Sequence, residues 1–433
     1  MDAGKHILLG VAGSPVFHSK SPLIFRSIFK EKKIDASYIR VAVQWADEAL
    51  KICSDLNFSG MNITAPFKNS IISHLDSVST DAGKMKSVNT VVNRNGNLTG
   101  YNTDHYGVTS PLENEIGSLK NKKVLIAGAG GAGVSAAFGL SRAGSIVTVL
   151  NITINEAKNA AEKFGCGYDI LSNFSKYISD TDIFISTLPY EADPLDISLM
   201  KRGSVLMDAS YKKSHYAEQS EKNDIIFIPG EEWLLYQAVY ACGHFLDFIP
   251  SIEVARAGIA DTRKRRNIIS LIGFMGSGKT SVGRELARLQ KMDFADIDEI
   301  IERKMSKTVN EIFSTMGERK FREIESDVLC SFKDKNNIVL SCGGGIVLGE
   351  ANRDFLRNQT ECIWLYCGMD TMMERVADGT RPLINAMKNP RDAAELFNSR
   401  KKYYASSCES IVLTETSPEK TAELINEEIR LSF

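Results

Sequence analysis

The chain has 433 residues, 43% of them hydrophobic and 24% charged, and its formal charge at pH 7 is -2. That length has room for two or three domains, each with its own core. So small a net charge gives no electrostatic reason to expect nucleic acid or an anionic membrane as a partner, and no apolar run reaches the length of a membrane span.

The opening stretch, MDAGKHILLGVAG, lacks the long apolar core of a signal peptide and reads as a first strand. The expected location is therefore cytoplasmic. In VFHSKSPLIFRSIF, Ser19 and Ser21 stand before Pro22, a residue favoured in the first helical turn, so Ser21 reads as the helix N-cap. ASYIRVAV is a second strand. GMNITAPFK is a short strand with Asn62 and Thr64 on one face, since alternate residues share a face. Pro66 stops it, and Lys68 follows in the turn, where by itself it reads as a surface lysine. SVNT places Asn89, and GYNTDHYG places Asp104 in a Gly-bounded loop. If these polar groups meet in one cleft, they suit a small polyhydroxylated acid.

KKVLIAGAGGAG is a strand running into Gly128-x-Gly130-x-x-Gly133, followed by a helical stretch and then by the strand SIVTVLNI. In that strand–turn–helix–strand context the glycines permit a tight turn and close backbone approach. The helix N-terminus then offers N–H groups and positive dipole to a pyrophosphate. The second of these strands ends at Asn151, with Ile152 and Thr153 after it. Neither Asp nor Glu stands at that strand end to claim the ribose hydroxyls, so nothing there repels a 2′-phosphate. Further on, GEEWLLYQ starts an amphipathic helix on which Gln237 shares a face with Leu234 and Ala241. Gln237 has two readings, a ligand or a buried hydrogen-bonded amide.

ARAGIADTRKRRNIISLIG is the sharpest punctuation in the chain. Its basic residues 263–266 read as a solvated linker in preference to a binding patch. The main boundary falls there, and a second division falls near Tyr106. After the linker, GFMGSGKT fits G-x-x-x-x-G-K-[ST] at Gly273, Gly278, Lys279 and Thr280. At ordinary residue usage a chain of this length shows that pattern by chance only about 0.02 times. It again lies between a strand and a helix. Backbone N–H groups would wrap phosphates there, Lys279 would neutralise them, and Thr280 would ligate Mg²⁺. The surrounding sequence offers Asp296 and Asp298 in FADIDEI, Arg322 in GERKFREIE, the glycines 343–345 after a buried strand, Arg381 in GTRPLI, and Arg400 in LFNSRKKYY. The eight cysteines form no Cys-x-x-Cys pair, and they read as buried thiols in a reducing compartment. Strand-like runs alternate with helical patterns throughout, which implies an α/β chain of parallel sheets covered by helices.

Across roughly residues 6–250 the stretches GSPVFHSKSP, NITAPFK, VNT, GYNTD, GAGGAG, DASY and GEEWLLYQ, in that order, resemble shikimate dehydrogenase. The resemblance implies reduction of 3-dehydroshikimate to shikimate by NADP(H), with NAD(H) possible. By position it implies that Ser19, Ser21, Asn62, Thr64, Asn89, Asp104, Tyr211 and Gln237 hold the substrate and that Lys68 and Asp104 form the catalytic pair. The dinucleotide falls to Gly128, Gly130, Gly131, Gly133, Asn151, Thr153 and Gly230. The family's Asn-Arg-Thr is broken here by Ile152, and Lys158 on the next helix compensates only in part.

Residues 267–433 resemble shikimate kinase, which implies ATP, Mg²⁺ and phosphorylation of shikimate at its 3-hydroxyl. Gly276, Gly278, Lys279, Thr280 and Arg381 are then expected at the nucleotide, with Arg381 on a closing lid. Thr280 and Asp296 are expected at the metal, and Asp298, Arg322, Gly344 and Arg400 at shikimate. Lys279, Asp298 and Arg381 carry the catalysis in this reading. Cys408 stands where that family usually has a small residue. The expected domains are an α/β substrate domain (1–105, completed by a helix at about 235–260), a Rossmann domain (106–234) and a P-loop kinase domain with a parallel sheet and lid (267–433). The expected partners are the two small acids. Two alternatives remain, an NAD-using quinate/shikimate dehydrogenase fused to the kinase, and an inactive shikimate-sensing regulator. The regulator predicts damaged catalytic positions, yet Lys68, Asp104, Lys279, Asp298 and Arg381 are all present.

Overall fold

The computed structural model describes residues 6–192, 194–210, 214–260, 266–375 and 390–432. The strands of the first part are β1 (Ile7–Gly13), β2 (Ala36–Ala42), β3 (Gly60–Ile63), β4 (Ser77–Val78), β5 (Thr90–Arg94) and β6 (Asn97–Tyr101). Then come β7 (Lys123–Ala127), β8 (Ile146–Asn151), β9 (Gly167–Ile170), β10 (Ile183–Ser186), β11 (Val205–Asp208) and β12 (Ile226–Ile228). The last are β13 (Ile268–Ile272), β14 (Asp293–Asp296), β15 (Ile338–Ser341), β16 (Glu361–Tyr366) and β17 (Ser410–Leu413). Contact density divides the chain into two compact units, residues 1–74 with 261–433, and residues 75–260.

In the first unit the strands run in the order β14-β15-β13-β16-β17-β2-β1-β3, and every pair is parallel. A parallel sheet is covered on both faces, so its strands are continuous apolar runs. In β13 all five residues are buried. The segments on either side of the linker meet where β17 pairs with β2, Ser410 opposite Arg40 and Val412 opposite Ala42. That pairing is why contact density gives two units where the motifs read as three domains. The helix after β1 spans Ser21–Lys32 and its N-cap is Lys20, with no side-chain cap. Ser21 is therefore not the cap that Pro22 suggested. Lys20 already has helical dihedrals, and Ser19 Oγ accepts the Ser21 N–H at 3.3 Å.

In the second unit six parallel strands run in the order β12-β11-β10-β7-β8-β9. This is the doubly wound dinucleotide-binding order, with the strand sequence reversing at β7. Val124, Ile126, Val149 and Ile185 join the core on one face, while Leu125, Leu150, Phe184 and Leu206 join the core on the other. β5 and β6 pair antiparallel, and β4 pairs with β6. Asp104, expected in a loop, is instead the first residue of the helix Asp104–Ile116. Gly107, which read as a loop boundary, lies inside that helix, where a Cβ would come within 2.3 Å of the Trp233 ring. Its missing side chain lets the helix Gly230–Leu246 approach.

Candidate active sites

The loop between β13 and the helix Lys279–Gln290 holds the first site. Lys279 is buried, and its Nζ donates to the carbonyls of Gly273 and Phe274, both at 2.9 Å. The ammonium thus lies folded against the loop that would take the phosphates. Thr280 Oγ1 donates to Asp296 Oδ2 at 2.8 Å, with Ser341 Oγ at 3.4 Å. Asp296 ends β14 and caps the next helix, its Oδ1 accepting the Asp298 N–H at 3.0 Å. These hard oxygen donors suit Mg²⁺, which takes one or two protein ligands and completes its shell with phosphate and water. Among the described residues no group of three or more His, Cys, Asp or Glu could hold a metal by itself.

Beside the loop lies a cavity of about 350 Å³ lined by Asp298, Arg322, Glu325, the glycines 343–345 and Arg400 among others. Arg322 Nη1 donates to Glu325 Oε2 at 2.7 Å, and Arg400 Nη1 to the Gly344 carbonyl at 3.3 Å. Two glycines of the run, Gly343 and Gly345, are required sterically. A Cβ at Gly343 would stand 2.6 Å from Glu325 Oε1 and 2.9 Å from Asp298 Oδ1, and one at Gly345 would strike the Arg322 guanidinium. Burial pushes the Glu325 carboxyl up to about 7 against the pull of Arg322, and the neighbouring Asp298 adds to the rise.

Glu325 was not singled out from the sequence, although its spacing of three from Arg322 on a helix was a usable signal. Arg375, whose Nη1 is 3.5 Å from the Gly276 carbonyl of the loop, was also missed, and nothing local marks it. Arg381 lies outside the described residues.

At the second phosphate loop two of the glycines are required by contacts that a side chain would break. Gly128 has φ +108°, and its Cβ would lie 2.3 Å from Thr187 Oγ1; a Cβ at Gly133 would lie 2.0 Å from the Gly128 carbonyl. At Gly130 and Gly131 a Cβ would meet nothing within 4 Å, so this stretch faces open space at the start of the helix Gly131–Arg142. That division matches the three tasks of such a loop: tight turn, approach to pyrophosphate, and helix packing. Gly230 opens its helix against Ser210, where a Cβ would come within 2.6 Å of the Ser210 backbone. Tyr211 lies outside the described residues.

The strand end at Asn151 differs from expectation. Asn151 Nδ2 donates to Glu156 Oε2 at 2.5 Å, so a carboxylate does stand at this place. It comes from the first turn of the helix Ile154–Glu162, for which Thr153 is the N-cap. The strand end itself carries no acid; the helix turn brings one back. Ile152 is 74% exposed, and Lys158 pairs with Glu162 at 3.7 Å.

The remaining polar residues fall into two groups. In the first unit Ser19 Oγ and Ser21 Oγ are 3.2 Å apart, and Tyr38 donates to Asn62 Oδ1 at 2.7 Å. Thr64 lies just past β3, against Gly13, and Lys68 is half-buried in the following turn. In the second unit Asn89 and Asp104 are buried, and Asn89 Nδ2 lies 2.9 Å from Asp104 Oδ1 and 3.4 Å from Gln237 Oε1. Gln237 is half-buried, and Asn89 links it to Asp104.

Residues 11–91 match the shikimate dehydrogenase substrate binding domain, residues 111–201 the shikimate / quinate 5-dehydrogenase family, and residues 275–430 the shikimate kinase family. The shikimate dehydrogenase (NADP(+)) of Thermococcus kodakarensis is 36% identical over 259 residues, 58% of this chain and 94% of that protein. That of Pyrococcus abyssi is 34% identical over 253 residues, 57% of this chain and 95% of its own. Among solved structures, shikimate dehydrogenase from Aquifex aeolicus superposes with a TM-score of 0.56 at 28% identity, covering 60% of this chain and all of that one. A shikimate dehydrogenase in complex with NADP+ gives 0.56 at 29%, covering 61% and 98%. The chain belongs to the shikimate dehydrogenase family and carries a shikimate kinase domain behind it in the same polypeptide.

Proposed function

We propose that this chain performs two consecutive steps: NADPH-dependent reduction of 3-dehydroshikimate to shikimate, then ATP-dependent phosphorylation of shikimate to shikimate 3-phosphate. The observation that carries this reading is the cavity beside the Lys279 loop. It offers a carboxylate, Asp298, and two guanidiniums, Arg322 and Arg400, to a small hydroxylated acid, and such an acid is what the dehydrogenase part would release. When bound, NADPH supplies the hydride, and ATP with Mg²⁺ supplies the phosphoryl group.

In the reduction Lys68 gives a proton to the oxygen that gains charge as the carbonyl is reduced. Asp104 helps hold that hydroxyl. Ser19, Ser21, Asn62, Thr64, Asn89, Tyr211 and Gln237 bind the rest of the acid. Gly128, Gly130, Gly131, Gly133, Asn151, Thr153 and Gly230 take the dinucleotide. In the phosphorylation Arg322 and Arg400 grip the carboxylate with paired donors, as arginine does better than lysine, and the Gly344 backbone lines the same wall. Asp298 accepts the proton of the attacking hydroxyl. Lys279 and the loop backbone, with Gly276 and Gly278, stabilise phosphate charge; Thr280 and Asp296 would hold the metal, and Arg381 is assigned to the phosphates.

We assign the substrate domain to residues 1–105 with the helix at about 235–260, the dinucleotide domain to 106–234 and the kinase domain to 267–433. The working location is the cytoplasm; no helix among the described residues is long and apolar enough to cross a membrane. One observation, the Glu156 carboxylate on Asn151, favours use of NADH beside NADPH. The test is a coupled assay on the purified chain. With 3-dehydroshikimate and NADPH it should yield shikimate, and added ATP–Mg²⁺ should convert that to the 3-phosphate. Failure of either conversion removes that half of the reading.

A further inference from the structure

One buried carboxylate from the kinase part of the chain reaches into the loop that joins β1 to the helix Ser21–Lys32, and a second acts on it through an arginine. Glu428, on the helix Pro418–Ser432, is 1% exposed. Its Oε2 accepts the backbone N–H groups of Val16 at 2.7 Å and Phe17 at 2.9 Å. Glu409, just before β17, is also buried. It accepts from Arg26 Nη2 and Arg40 Nη1, both at 3.2 Å. Arg40 in turn donates from Nε to the Ser19 carbonyl at 2.9 Å. The loop is therefore held at Val16 and Phe17 by one carboxylate and at Ser19, through an arginine, by the other. Both holds come from beyond residue 400.

Glu428 is an odd residue for mere packing. Among the described residues its Oε1 is buried without a hydrogen-bond partner, and no salt bridge neutralises it. Burial raises its carboxyl above the ordinary range. A buried carboxylate in such surroundings is a poor source of stability, and an apolar side chain of similar size would serve packing as well or better. What a carboxylate oxygen does, and an apolar group cannot, is fix two adjacent N–H groups that point the same way. Those N–H groups lie two to five residues before the Ser19 and Ser21 hydroxyls.

We propose that Glu428 is a positioning residue for the dehydrogenase substrate loop, supported by Glu409 through Arg40, so that the kinase part of the chain holds residues 16–21 in the shape that binds 3-dehydroshikimate. This rests on the assignment of Ser19 and Ser21 to substrate given above.

The experiment compares Glu428→Ala, Glu428→Gln and Ser21→Ala in the full chain, with both activities measured on each preparation. In Glu428→Ala the dehydrogenase KM for 3-dehydroshikimate should rise at least fivefold, while the KM for NADPH and the kinase kcat and KM stay within twofold. Glu428→Gln keeps an oxygen acceptor and should restore most of the lost affinity. The kinase, assayed in the same sample, reports whether the fold is intact. An unchanged KM for 3-dehydroshikimate in Glu428→Ala with a normal kinase overturns the proposal. So does a parallel loss of both activities that Glu428→Gln also shows, since Glu428 would then be a packing residue. Ser21→Ala separates the positioning from the assignment beneath it. If its KM for 3-dehydroshikimate is normal, the loop is not the substrate loop. If that KM rises while the Glu428 variants stay normal, only the positioning fails.

Discussion

On the proposed function, two substitutions should strengthen the hold of the dehydrogenase on the 2′-phosphate of NADPH. β8 ends at Asn151, beyond which the adenosine ribose sits in this fold. The adjoining Ile152 is 74% exposed and offers no charge. Glu156 reaches back to Asn151 at 2.5 Å, and Lys158 is engaged with Glu162 at 3.7 Å. A charge-assisted hydrogen bond to phosphate contributes about 1.5–3 kcal/mol, and the exposure of position 152 argues for the low end. At about 1.4 kcal/mol per decade, Ile152→Arg should raise kcat/KM for NADPH about tenfold and leave NADH nearly unchanged. Repulsion between Glu156 and the phosphate, at roughly 4 Å in water, is of order 1 kcal/mol per unit charge. Glu156→Gln should therefore raise kcat/KM for NADPH about fivefold and leave NADH level or lower. Positions 152 and 156 are neighbours, so in the single variant Glu156 competes for the new guanidinium, and the double variant should exceed the product of the two singles. The assay is kcat/KM with each cofactor in the native chain and the three variants at saturating 3-dehydroshikimate. A native preference for NADPH of several hundred-fold, unchanged by either substitution, would show that another cation holds the phosphate.

Lys68→Ala should lower dehydrogenase kcat by about 10²-fold or more, as loss of a general acid does, with a smaller change in KM. Steady-state rates that stay near normal would return Lys68 to the class of surface lysines. Asp298→Asn should abolish phosphoryl transfer and leave the dehydrogenase rate nearly intact; a large fall in dehydrogenase kcat in the folded variant would show that the two chemistries are not independent. Glu325 carries a carboxyl pushed up to about 7 by burial. Bringing the carboxylate of shikimate to Arg322 and Arg400 adds a negative charge nearby and raises it further. Shikimate binding should therefore take up a proton just above neutrality and weaken as pH rises beyond 7. Calorimetry in buffers of different ionisation enthalpy measures the uptake. Glu325→Gln should abolish it, and proton release by the native protein would refute the sign.

What the sequence determined by itself is what neighbouring residues impose on one another. Both phosphate loops were legible because a strand, a tight glycine turn and a helix start are consecutive in the chain. Their geometry is set by local backbone and sterics, as the forbidden Cβ positions at Gly128 and Gly133 show. The parallel α/β class was legible because strands covered on both faces must be apolar throughout. Local reading went astray where packing overrode a local signal. Gly107 looked like a loop boundary and serves a helix contact with Trp233. Pro22 suggested a cap at Ser21, yet the loop enters the helix already coiled at Lys20. Tertiary structure alone decided which distant charges meet. Glu325 lines the cavity because Gly343 carries no side chain to exclude it. Glu428 meets Val16 from 412 residues away. No periodicity or motif encodes such a meeting, because it depends on β17 closing against β2, and that pairing is chosen by the whole sheet rather than by either strand.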